Sequence, residues 1–303
     1  MRLNRSGNLL RATVIAAIAM MRPCYAFSAQ QSAESPVELV RRTVQREIAV
    51  SDGDSKVRFT DHKETPRGSQ TKLVAETQEG MAGMVVAIND KPLTTEQRQA
   101  EEARLERLMG NLEELKKKHR TEKEDAERIT RIVKALPDAF LYDLDGTEVG
   151  SREVGKAGEE LVRLKFRPNP KYNPPSRVEQ VLTGMQGYIL VDPRQHRIAK
   201  IDGTLSKDVS FGWGFLGHLD KSGHFLVEQA EVINQDWELT RMSLSFTGKV
   251  LLFKSLSIKA DETFSDFHPV PSTLSFAQGV ELLKQQEAEL TANRQQPTGD
   301  KPK

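Results

Sequence analysis

GYILVDPRQHRIAKIDGTL, residues 187–205, decides how the rest of the chain is read. On its second half Ala199, Ile201 and Leu205 face one way, while Lys200, Asp202 and Thr204 face the other. That period of two marks a half-buried antiparallel strand. Asp192-Pro193-Arg194-Gln195 supplies the turn, since proline fixes φ and aspartate bonds to the backbone just ahead of it. The stretch is therefore a hairpin with one apolar and one wet face.

The same alternation extends in both directions. Upstream, ELVRLKFRP puts Val162, Leu164 and Phe166 on one side, and AFLYDLDG does the same with Phe140, Tyr142 and Leu144. Downstream, HFLVEQAEVINQ, DWELTRMSLSFTG and KVLLFKSLSIKA read as three long strands. Nearer the N-terminus, VRFTDHKE (57–64), QTKLVAETQE (70–79) and GMVVAIND (83–90) are short strands separated by Pro66, Gly68 and Gly80. About ten sequential strands with flanking helices predict an α+β fold. Its centre is a large curved antiparallel sheet, a half-open β-barrel with helices covering the concave face.

Helical signals are few. Ser35 and Pro36 open a segment in which Val37, Val40, Val44 and Ile48 share a face. Residues 94–135 contain one glycine and no proline, and half of them are charged. Leu105, Leu108, Leu112 and Leu115 keep a 3-4-3 spacing that Ala126, Ile129, Val133 and Leu136 resume. His119 and Glu122 interrupt that seam, which argues against a continuous coiled coil. Gly110-Asn111 marks a break, so two consecutive helices or a helical hairpin are expected. NPKYNPPSR, 169–177, reads as a proline-rich loop, ELLKQQEAEL as a helix, and residues 286–303 as a polar tail.

The first 26 residues are of another kind. MRLNRSGNLLR is basic, ATVIAAIAMM is ten apolar residues, and RPCYAFSA offers small residues for cleavage. That order is the pattern of a secretory signal peptide, residues 1–26, and predicts a periplasmic or secreted protein. The apolar run is too short to span a bilayer. With the segment gone, the formal charge would fall from +1 to −3 (four arginines lost and no acid). Cys24, the sole cysteine, would leave with it, and thiol chemistry and disulfides with the cysteine.

In pattern the chain resembles the LolA/LolB-like superfamily of periplasmic lipoprotein carriers and their relatives, which include sensor domains of the MucB/RseB type. VDPRQHRIAKIDGTL is similar to that group's recurring strand–turn–strand, and the likeness spans residues 36–285. It implies a half-open barrel closed by helices around a cavity for acyl chains. The charged segment 94–135 would then be an insertion, and the chain is nearest in pattern to uncharacterised exported bacterial members.

No motif speaks for chemistry. The chain has no G-x-S-x-G elbow, Walker loop or dinucleotide fingerprint. HLDKSGH, with His218, Asp220 and His224, reads as a hairpin turn rather than a zinc site. DLDGTE, 143–148, reads as an Asp-Gly turn, because position twelve from Asp143 is Val154 and not an EF-hand glutamate. No metal or cofactor is expected, and a non-enzymatic protein is. FGWGFLGHL, 211–219, stands out because three aromatics alternate with glycines in a chain only 6% aromatic. Its structural reading is a tight crossing. Its functional reading is an aromatic flap over the cavity mouth, with Phe211, Trp213, Phe215 and Leu216 touching a hydrophobic ligand. Trp237 and Tyr188 are read as packing residues. The expected partner is a hydrophobic ligand or an acylated protein. The alternative is a scaffold or envelope-stress sensor that meets a protein through the charged helices; nucleic acid is not expected.

Overall fold

The computed structural model describes residues 34–51, 53, 55–211, 217–233, 236–250 and 254–295. The signal-like segment and residues 296–303 lie outside them, and residues 286–295, expected in the polar tail, belong instead to the C-terminal helix. Helix α1 (Pro36–Ser51) leads into strands β1 (Lys56–Thr65), β2 (Gly68–Thr77), β3 (Gly80–Ile88) and β4 (Lys91–Pro92). Helices α2 (Thr95–Gly110) and α3 (Leu112–Ala139) follow, then β5 (Phe140–Val149) and β6 (Glu160–Pro168). A one-turn helix, α4 (Arg177–Gln180), and a 3-10 turn (Val181–Gly184) precede β7 (Met185–Asp192) and β8 (Arg197–Leu205). Short β9 (Val209–Phe211) and β10 (Gly217–Leu219) lead to β11 (His224–Ile233), β12 (Asp236–Val250), β13 (Lys254–Val270) and α5 (Phe276–Gln295).

All the ladders are antiparallel, and the order is β4-β3-β2-β1-β13-β12-β11-β8-β7-β6-β5, with β10 bridging β12 and β9. The curved sheet expected from the alternation is observed, and it is not closed. Its edges are β4 and β5. Helices α2 and α3 join those two edges, so residues 94–135 are the connection that carries the chain from one side of the sheet to the other.

Register shows where the helices sit. Helix α5 lies over Arg58 and Thr60. Thr60 pairs with Ser265, Thr263 with Arg241, Arg241 with Glu228, and Glu228 with Lys200. Lys200 is on the wet side of the 187–205 hairpin. Helix α5, and α2 beside it, therefore cover the face opposite to the one that Ile201 and Leu205 turn toward α1 and the end of α3. Two cores result. One joins α1, the end of α3 and β5–β8 through Val40, Val44, Leu136, Leu164, Ile189 and Leu205. The other joins α2, the start of α3, α5, β2 and β3 through Leu73, Met84, Leu105, Leu115 and Leu283.

The break in the helical segment falls at Asn111, whose side chain accepts the Glu114 N–H and caps α3. Thr94 and Gln97 form a capping box on α2. The leucine seam is not one surface: Leu105, Leu108 and Leu115 are buried, but Leu112 is 61% and Ile129 64% exposed. The reason is that α3 leaves one core for the other, and between them it touches the sheet with polar side chains. Glu122 accepts the Met81 N–H at 3.1 Å, and Lys118 donates to the Met81 carbonyl at 2.7 Å.

Three other expectations are corrected. DLDGTE is no turn: it is a bulge inside β5, with the register shifting between Leu144 and Thr147 and Gly146 at φ 100°. KVLLFKSLSIKA is split, since Val250 ends β12 opposite Lys254 at the start of β13, and residues 251–253 lie outside the described ones. The loop 169–177 gives way to α4, which the sequence reading lacked.

One acidic side chain is held against its charge. Burial, with Glu76 and Asp236 nearby, raises the Glu238 carboxyl to about 7 despite the opposing Arg197. A raised carboxyl costs the fold stability wherever the unfolded chain would give up the proton. The cost is absent below the ordinary pKa near 4.5, builds up as pH rises to 7, and is full above it. Glu238→Gln should therefore stabilise the protein by roughly 2 kcal/mol at pH 8 and by nothing measurable at pH 4.5, in urea titrations at the two pH values. An equal gain at both would refute the burial of this charge.

Candidate ligand-binding cavity

Alternation builds the site. On the α1-facing side of the sheet every second residue points inward, so Met185 and Ile189 of β7, Ile201 of β8, Phe225 of β11, and Leu244 and Phe246 of β12 form a floor. Phe140, Tyr142 and Phe166 of β5 and β6 continue it. Ile132, Val133 and Leu136 of α3 form a wall, because Leu136 lies three and four residues from the other two, the spacings that share a helix face. Val178 of α4, with Val181 and Leu182 of the 3-10 turn, closes another side, and Phe211 and Leu219 complete the lining. Gly203 matters to this floor: a Cβ there would collide with the Phe225 and Phe166 rings.

The enclosed space is about 420 Å³, within the ~300–1,000 Å³ of small-molecule sites. Among the described residues its lining contains no carboxylate, histidine, serine or cysteine. Tyr142 brings a hydroxyl, which donates to the Leu136 carbonyl at 2.9 Å. Burial pushes that phenol far above its ordinary pKa, with Asp138 adding to the shift, so it stays neutral. Among the described residues Arg177 is the one charged side chain in the lining. It is exposed, and among the described residues its side chain makes no hydrogen bond and no ion pair. Ser176 caps α4 by accepting the Val178 N–H at 3.1 Å and donates to the Glu179 carboxylate.

Of the residues singled out in 211–219, Phe211 lines the cavity; Trp213, Phe215 and Leu216 lie outside the described residues. Trp237 is buried with Leu161, Leu190 and Ala199, and its indole N–H donates to Gln195 Oε1 at 3.0 Å. Tyr188 packs at the edge of the same cluster on the face opposite the cavity, under the Arg163 guanidinium at 3.6 Å. Sequence reading missed Arg177, Val178, Val181 and Leu182. Their signal was Ser176-x-x-Glu179 ahead of spaced valines, the sequence signature of a helix N-terminus hidden behind three prolines.

The histidine pair does not converge. His218 meets Asp220 at 3.1 Å, whereas His224 meets Asp202 at 2.9 Å. Among the described residues no group of three or more His, Cys, Asp or Glu side chains is placed to hold a metal ion. Asp145 of the DLDGTE stretch is held by Lys165 and then Arg163, which keep its carboxyl below the usual range. No described helix is long and apolar enough to cross a membrane.

No protein-family profile matches the chain, and no curated protein matches it in sequence. Among solved structures it is similar to the crystal structure of a DUF1329 family protein from Desulfovibrio piger ATCC 29098. That similarity has 10% identity and a TM-score of 0.27 over 78% of this chain and 93% of the other.

Proposed function

We propose that the protein binds or carries a hydrophobic molecule after export, by burial alone and without covalent chemistry. The observation that carries this reading is the 420 Å³ cavity with its apolar lining. A ligand of this kind gains roughly 0.8 kcal/mol per buried methylene, and the lining offers no acid–base pair to act on it. The basic, apolar and small-residue order of residues 1–26 supports export to the periplasm or beyond. The pattern resemblance to LolA/LolB-like carriers supports lipid or lipoprotein acyl chains as cargo. Phe211 and Leu219 both line the cavity on either side of 212–216, which keeps Trp213, Phe215 and Leu216 as contact candidates.

A second reading rests on Leu112 and Ile129, exposed on the charged α3, which would suit a protein partner.

Native mass spectrometry of the mature chain from the membrane and soluble fractions, followed by organic extraction, tests the first reading. A stoichiometric lipid or acylated species is expected, reduced several-fold by Trp213→Ser with Phe215→Ser. A bare mass in both fractions, with no uptake of added lipid, would end the carrier reading.

A further inference from the structure

Two features of the cavity narrow its ligand. The first is size. At about 420 Å³ the cavity lies in the lower part of the ~300–1,000 Å³ of small-molecule sites, a space that suits one acyl chain better than the two or three of a diacyl lipid or a triacylated protein. The second is charge. Among the described lining side chains a single charge occurs, Arg177, on the exposed first residue of α4. Glu179, two residues on, does not neutralise it: that carboxylate is taken by Ser176, with Arg131 as its nearby cation. A guanidinium at the rim of an apolar cavity, with no ion pair of its own among the described residues, matches a carboxylate or phosphate at the end of a chain that runs inward.

We infer that the cavity takes one acyl chain of a single-chain anionic amphiphile, a fatty carboxylate or a lysolipid, with the anionic head against Arg177. The inference rests on the proposed hydrophobic-ligand reading and specifies the ligand's class. The fit requires the chain to insert between α3 and the floor of β7, β8 and β12, and the head to stay in water, where the exposed Arg177 is.

The test is displacement of an environment-sensitive fatty-acid dye from the full mature chain by myristate, myristyl alcohol and a dimyristoyl phosphatidate, each below its aggregation threshold. Myristate should bind at least tenfold more tightly than the alcohol, and the two-chain anion at least tenfold more weakly than myristate. Arg177→Gln should bring the carboxylate-to-alcohol ratio to about one, and Arg177→Lys should restore most of it. Circular dichroism confirms that each variant is folded. Lysophosphatidate in place of myristate separates the two sources of the anion: the tighter of the two names the natural head group. If carboxylate and alcohol bind alike, the role of Arg177 falls while the cavity reading stands. If the two-chain lipid binds as well as myristate, the single-chain assignment falls. If nothing displaces the dye, or the dye itself does not bind, the hydrophobic-ligand reading fails with it.

Discussion

Val133→Trp is expected to weaken binding of a fourteen-carbon chain by about 100-fold. Val133 is on the wall that α3 presents to the cavity, and it is only half-buried, so an indole there turns into open space. Occupying the volume of three or four methylenes removes roughly 3 kcal/mol of burial from the ligand, which is about two orders of magnitude in Kd. The unliganded variant should melt no lower than the native protein, because a filled void restores lost packing contacts. Ile129→Trp is the control: it lies one turn away on the same helix, points to solvent and does not line the cavity. Equal loss in both variants, or in neither, would mean that the ligand binds somewhere else.

Glu47→Ala should cost about 3–5 kcal/mol of stability, the largest effect expected from any single polar substitution in this core. Glu47 is on α1, and Arg197 opens β8; their side chains are 12% and 7% exposed and meet at 3.0 Å. The same Glu47 Oε1 accepts the Ile198 N–H at 2.7 Å. Truncation therefore strands a buried guanidinium and a buried backbone donor together. Arg197 also lies over the Trp237 ring at 5.5 Å, so the disturbance reaches the opposite face. Chemical unfolding reads the loss directly. Glu47→Leu with Arg197→Met should recover most of it, because a hydrophobic pair need not be solvated, while the Ile198 N–H stays without its acceptor. A loss below 1 kcal/mol would show that α1 is held by its valines alone.

The strands were legible where one face is wet. Lys200, Asp202 and Thr204 against Ile201 and Leu205 announced β8, and the observed register keeps that division. Ala199, expected beside Ile201, is turned to the other face with Leu190 and Trp237 by the register shift at Leu190–Val191. Alternation says nothing, however, about which distant strands meet, so the pairing of β1 with β13 that unites the sheet was not readable. Nor was the face each helix covers. Helix α3 carries a leucine pattern that looks like one seam, but its two ends serve cores on opposite faces of the sheet. The bulge in β5 mimicked a turn because Asp-Gly suits both: Gly146 takes a positive φ in either setting. As for the site, the aromatic run drew the eye to 211–219, and Phe211 does line the cavity. Most of the lining is ordinary core-type residues whose shared vacancy depends on shape. Arg177 could have been found only by weighing the helix-start signature at Ser176 above the prolines before it.

The central claim is that an apolar chain enters the space between α3, α4 and the floor of β7, β8 and β12. Photolabelling tests it most directly: the mature chain is equilibrated with a diazirine-bearing fatty acid, irradiated, digested and sequenced by mass spectrometry. The account predicts labels on peptides covering 132–142, 177–189, 201–211 and 242–246, competed away by unlabelled myristate. Labels confined to α2 and α5, or labelling that myristate does not compete, would contradict it.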